Sequence, residues 1–138
     1  MSMKKGEKSA SDLTLFIDTS CQATKIAIFA NGKMLVAKEW NGKDDLSEIL
    51  LIKIDALLNE LKVVLKDLCQ IAVNPGPGSY TGLRIGITVA NFLAWSHNVS
   101  VIAAEIKNNR LIKKNNFKKF ILPNYQKCPH ITKPKVKC

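Results

Sequence analysis

Imidazole is scarce in this 138-residue sequence: His97, at the end of a helix-patterned stretch, and His130, near the C-terminus, are its two histidines. No Ser-His-Asp set assembles around either, so nucleophilic catalysis of that kind lacks a base. The four cysteines, Cys21, Cys69, Cys128 and Cys138, include no CxxC pair, and Cys128, His130 and Cys138 match no common zinc spacing and lack a fourth ligand. No metal and no cofactor are expected. No apolar run approaches the roughly 18 residues that a membrane span requires, and the opening MSMKKGEKSASD has no apolar signal-peptide core. The expectation is a cytoplasmic protein without a membrane partner. Acid is missing from one region: residues 106–138 carry 10 Lys/Arg and no Asp or Glu, whereas residues 1–105 carry 11 of each sign. The net charge of +10 therefore belongs to the last quarter of the chain, a basic tail of a kind that meets nucleic acid or serves as a solvated solubilising end.

What is present is a globular composition, 46% hydrophobic, at a length that suits one domain. LTLFIDTS, KIAIFA and KMLVAKEW read as three strands, and Asn31-Gly32 between the second and third is the preferred type I′ hairpin pair. A helix follows from about Leu46 to Lys62, capped by Asp44 or Asp45. Leu50, Leu51, Ile54, Leu57, Leu58 and Leu61 lie within about 120° of its circumference and are assigned to the sheet. Ile49, Ile52 and Ala56 form a separate apolar stripe, which implies a second neighbour.

The chain is organised around NPGPGSYTGLRIG, Asn74 to Gly86, set between the strand CQIAV and a second helix. Its prolines fix φ and its glycines allow positive φ, so the loop bends sharply into a helix that Ser79 or Thr81 caps. The glycines are one residue out of register for GxGxxG and no Lys-Ser or Lys-Thr pair makes a P-loop. The loop is therefore read as a tight turn, with Asp18, Ser79 and Thr81 kept as secondary candidates for a magnesium-phosphate site. Along the helix Gly82, Gly86, Ala90 and Ala94 form a seam of small residues, flanked by Leu83, Ile87, Val89, Phe92 and Leu93. Apolar breadth of this kind points to a covered second surface. A last strand from Val99 to Ala103 completes a βββαβαβ order, an α/β fold with a mixed sheet and helices packed on it. Beyond Glu105, NNRLIKKNNFKKF reads as a short basic helix or strand, and three prolines keep the final stretch extended.

IDTS near the start and PGPGSYTGLRIG at the second helix, in this element order, closely resemble the TsaB (YeaZ) family, subunits of the bacterial machinery that makes threonylcarbamoyladenosine at position 37 of tRNA. The resemblance spans about residues 13–105. It implies a single actin-like ATPase (ribonuclease H-like) subdomain between a flexible N-terminus, residues 1–12, and a basic tail, residues 106–138. It implies a non-catalytic scaffold that holds its paralogue TsaD or a second copy of itself through the two helices, with the ATPase TsaE joining. Carried over, the partner surface is Ile49, Ile52, Lys53 and Ala56 on the first helix and Gly82, Leu83, Gly86, Ile87 and Ala90 on the second. Two departures stand out: Leu46 occupies the place where many members carry His, and strand five is followed almost at once by ILPNYQKCP, which resembles the tail of full-length members, so the expectation is a naturally short form without the second subdomain. The rival readings are an actin-like ATPase or peptidase remnant using Asp18, and a tRNA-binding module using Lys113, Lys114, Lys118 and Lys119.

Overall fold

The computed structural model describes residues 13–41 and 46–114. The proposed caps Asp44 and Asp45, the N-terminal segment, Lys118, Lys119, Cys128, His130 and Cys138 lie outside the described residues.

Three strands open the fold, β1 Leu13–Asp18, β2 Ala23–Ala30 and β3 Lys33–Asn41. They form an antiparallel meander. Asn31 and Gly32 take φ of 54° and 82°, the left-handed pair that a type I′ turn requires and that Asn and Gly tolerate. Helix α1 covers Leu46–Glu60, and a 3-10 turn at Leu65–Asp67 leads to β4, Gln70–Val73. Helix α2 covers Tyr80–Ser96, and β5 covers Ser100–Lys107. Strands β1, β4 and β5 run parallel at the centre. The expected βββαβαβ order is thus present.

The chain then adds a strand, β6, Arg110–Lys113, antiparallel to β5. The boundary read at residue 105 therefore falls inside a strand, and residues 106–113 belong to the sheet. The physical reason is local: Asn108 and Asn109 sit at φ 54° and 60°, a second tight turn of the type I′ kind built from the residue that best tolerates this region after glycine. The strand order is β3-β2-β1-β4-β5-β6, and the outer strands meet at one pair, Lys33 with Arg110, so the sheet curls closed.

Alternation along β1 places Leu15 and Ile17 on one face and Phe16 on the other. The first face joins Ile26, Ile28, Ile71, Val73 and Val101 in the main core beneath α1 and α2. Phe16 meets Phe29 edge-to-face, 6.4 Å between ring centres, in a smaller cluster with Ala27, Ala72, Ile102 and Ala104, against which Leu111 of β6 packs. Both helices end by the same device. Lys62 and Asn98 take φ of 58° and 54°, and the following N–H groups, of Val63 and Val99, donate to Leu58 O and Ala94 O at 3.0 and 2.9 Å, closing each last turn.

Candidate docking surface

The loop before α2 is pinned to the end of β1. Asp18 Oδ1 accepts hydrogen bonds from Ser20 N at 2.9 Å and Ser20 Oγ at 2.6 Å. Its Oδ2 accepts from Asn74 Nδ2 at 3.2 Å, and Asn74 Oδ1 accepts from Gly76 N at 3.0 Å. Asp18 is thus engaged in a turn network that ties β1 to β4. Ser79 is the N-cap of α2, its Oγ accepting from Gly82 N, and Ser79 N donates to Ser20 O at 2.8 Å. Thr81 is exposed on the first turn.

This latch decides which side of α2 faces inward. Thr19 Oγ1 donates to Gly82 O at 2.5 Å, and a Cβ built on Gly82 or Gly86 would collide with Thr19. The small seam does let another segment come close, but it is Thr19 of the same chain, its carbonyl at Gly82 and its side chain at Gly86. Gly82, Leu83, Gly86, Ile87 and Ala90 are all buried, so five of the residues assigned to a partner surface pack inside the molecule. On α1, Lys53 is half-buried with its ammonium 5.3 Å from the Trp40 ring centre on β3, and Ile49 is half-buried. Ile52 and Ala56 remain outside.

The open apolar ground on the same two helices keeps Ile52 of that set and adds residues outside it. Leu51 and Ile52 of α1 are 47% and 63% exposed, and Phe92 and Trp95 of α2 are 56% and 67% exposed. Phe92 and Trp95 stand 6.4 Å apart, tilted against each other. At 100° per residue Ile85 and Val89, both half-buried, fall between Phe92 and the side of α2 that meets α1. At the C-terminal ends of the helices a groove of about 550 Å³ opens between Leu51, Asp55 and Leu58 on one side and Leu93 and His97 on the other, floored by Val63–Leu65. Glu48 and Asp55 on α1, Arg84 on α2 and Lys66 beside the groove are exposed charges near this face. Side chains this large and apolar, gathered on adjacent helices, suit burial against another protein.

Sequence periodicity missed Leu51, Phe92 and Trp95. Leu51 lies at the margin of the 120° arc assigned to the sheet, and Trp95 falls among the polar residues of α2. Their spacing, i and i+3 on the side of α2 opposite Gly82 and Ala90, was the available signal. Of the basic residues, Lys113 closes β6 and is exposed, whereas Lys114 is drawn toward the loop, its N donating to Ala103 O and its Nζ to Gly76 O, at 2.7 and 3.1 Å.

Comparison with known proteins follows the same outline. A family model described as TsaD, tRNA N6-adenosine threonylcarbamoyltransferase, matches residues 42–105. The tRNA threonylcarbamoyladenosine biosynthesis protein TsaB of Bacillus subtilis (strain 168) is 37% identical over 89 residues, 64% of this chain and 39% of that protein. A tRNA N6-adenosine threonylcarbamoyltransferase of Bacillus thuringiensis (strain Al Hakam) is 29% identical over 127 residues, covering 76% of this chain and 37% of its own length. Among solved structures, YeaZ from Pseudomonas aeruginosa superposes with a TM-score of 0.62 at 21% identity, over 88% of this chain and 72% of the other. The chain spans about two fifths of the length of the curated relatives it matches.

Proposed function

Since the chain belongs to the TsaB (YeaZ) family and has its ribonuclease H-like, actin-like ATPase fold, we propose that it is a non-catalytic subunit in tRNA threonylcarbamoyladenosine synthesis. Its task in this reading is to hold a TsaD-type transferase against the outer faces of α1 and α2. The observation that carries the proposal is the exposure of Ile52, Phe92 and Trp95 on adjoining helices, because a helix that only lines a sheet needs one apolar stripe. A second copy of the chain competes for the same face, and a TsaE-type ATPase joins the assembly.

Co-elution with the cognate transferase tests this. Ile52→Asp and Phe92→Asp each place an unpaired charge at the centre of the contact and are expected to weaken it by more than about 2 kcal/mol, roughly 30-fold in Kd. Their unfolding midpoints should stay close to that of the parent chain, because both positions are exposed. Unchanged binding by both variants would show that the transferase does not sit on this face.

A further inference from the structure

The closure of the sheet gathers positive charge at one place. Arg110 is the cross-strand partner of Lys107 on β5 and of Lys33 on β3. Directly opposed residues in an antiparallel pair project from the same face with Cβ atoms about 5 Å apart. Three neighbouring strands therefore present Lys107, Arg110 and Lys33 as one row, and all three are exposed. Among the described residues the row makes one ion pair, Glu105 Oε2 4.0 Å from Lys107 Nζ, so one carboxylate stands beside three cations. Like charges set directly opposite each other destabilise a sheet. Such a row becomes favourable when an anion lies across it.

We propose that this row is a contact site for RNA, taking successive backbone phosphates without reading sequence. The chemistry around it fits a phosphodiester chain. The turns that flank the row carry Asn31, Asn108 and Asn109, whose amides donate to phosphate and sugar oxygens. Lys113 and Lys114, at the far end of β6 and just after it, are also exposed, so a long polyanion meets further positive charge along the same strand. A lipid surface fits less well, because the large apolar side chains exposed on β3 and β6 are the aliphatic Leu35 and Ile112, whereas among the described residues the exposed aromatic rings that would anchor in a headgroup layer, Tyr80, Phe92 and Trp95, sit on α2. The site is separate from the helical docking face, and its use of RNA stands whether or not a transferase binds there.

The test uses the full chain and a fluorescent, unmodified tRNA transcript, with anisotropy read from about 50 to 200 mM salt. The parent chain should bind at low salt and lose affinity steeply. In the double variant Lys33→Gln, Arg110→Gln the slope of log affinity against log salt should become shallower by about 1.4–1.8, the value for two lost phosphate contacts. Lys66→Gln, a control beside the helical groove, should leave the slope unchanged. Removing opposed cations should also leave the melting temperature equal or higher; if the double variant is instead unstable, Lys107→Gln alone carries the test, with half the change in slope. Absence of tRNA binding by the parent chain, an unchanged slope in the variants, or binding to phosphatidylserine vesicles in place of tRNA would each overturn the proposal.

Discussion

A Cβ built on Gly86 would meet Oγ1 and Cγ2 of Thr19, and one built on Gly82 would meet the Thr19 carbonyl oxygen. The two glycines are required for different reasons, since the first faces a side chain and the second faces backbone. Gly86→Ala should destabilise the chain by about 1–3 kcal/mol through overpacking. Thr19→Ala should cost about 1 kcal/mol by itself for its lost hydrogen bond to Gly82 O. Combining them removes the atoms that clash, so the double variant should be more stable than the sum of the single effects, a favourable coupling readable from urea unfolding. Gly82→Ala should gain no such relief from Thr19→Ala. Equal coupling for both glycines would mean that α2 shifts bodily and that the latch between Thr19 and α2 is soft.

At the scale of elements, the β5–β6 hairpin rests on the Asn108-Asn109 turn, where both residues have positive φ. A β-branched side chain is poorly tolerated there, so Asn109→Val should cost about 1–2 kcal/mol, while Asn109→Gly should be close to neutral. Chemical denaturation of the two variants separates turn strain from loss of the side chain; similar losses in both would point to the Asn109 amide instead. This hairpin also marks where sequence reading stops. Asn31-Gly32 announced its turn because strands of clear apolar alternation flank it. Asn108-Asn109 did not, because Lys107 and Arg110 flank it in place of clear apolar alternation, so that the stretch after Glu105 reads as a basic tail, with a short helix or strand both left open. The helices show the same limit. The two-stripe pattern of α1 and the small seam of α2 were both legible, but periodicity fixes only the angles between residues, not which angle faces the sheet. That orientation depends on Thr19 and Ser20, contacts more than 50 residues away in sequence. The outward face therefore proved to be Ile52, Phe92 and Trp95 in place of Gly82, Gly86 and Ala90.

For the whole molecule, the described residues close one sheet that carries an apolar cluster on each face, the larger beneath the helices, and leave the outer face of the helix pair open. Burial of that face by a partner is linked to folding, because the face exists only in the folded state. A ligand that binds the native chain alone adds RT ln(1 + [L]/Kd), about 2.7 kcal/mol at a concentration 100 times Kd. The effect should reach the most deeply buried parts of the sheet, although the proposed partner would touch only the helices. Global unfolding is what exposes the amides of Leu15, Ile17, Ile71 and Val73, whose residues are at most 1% accessible. Hydrogen exchange of peptides from β1 and β4 should therefore slow by about two orders of magnitude when the transferase is added at that excess, and Phe92→Asp should remove the effect. Protection limited to α1 and α2, with β1 and β4 exchanging as before, would mean that the sheet opens with the partner still attached, so that docking and folding are not coupled.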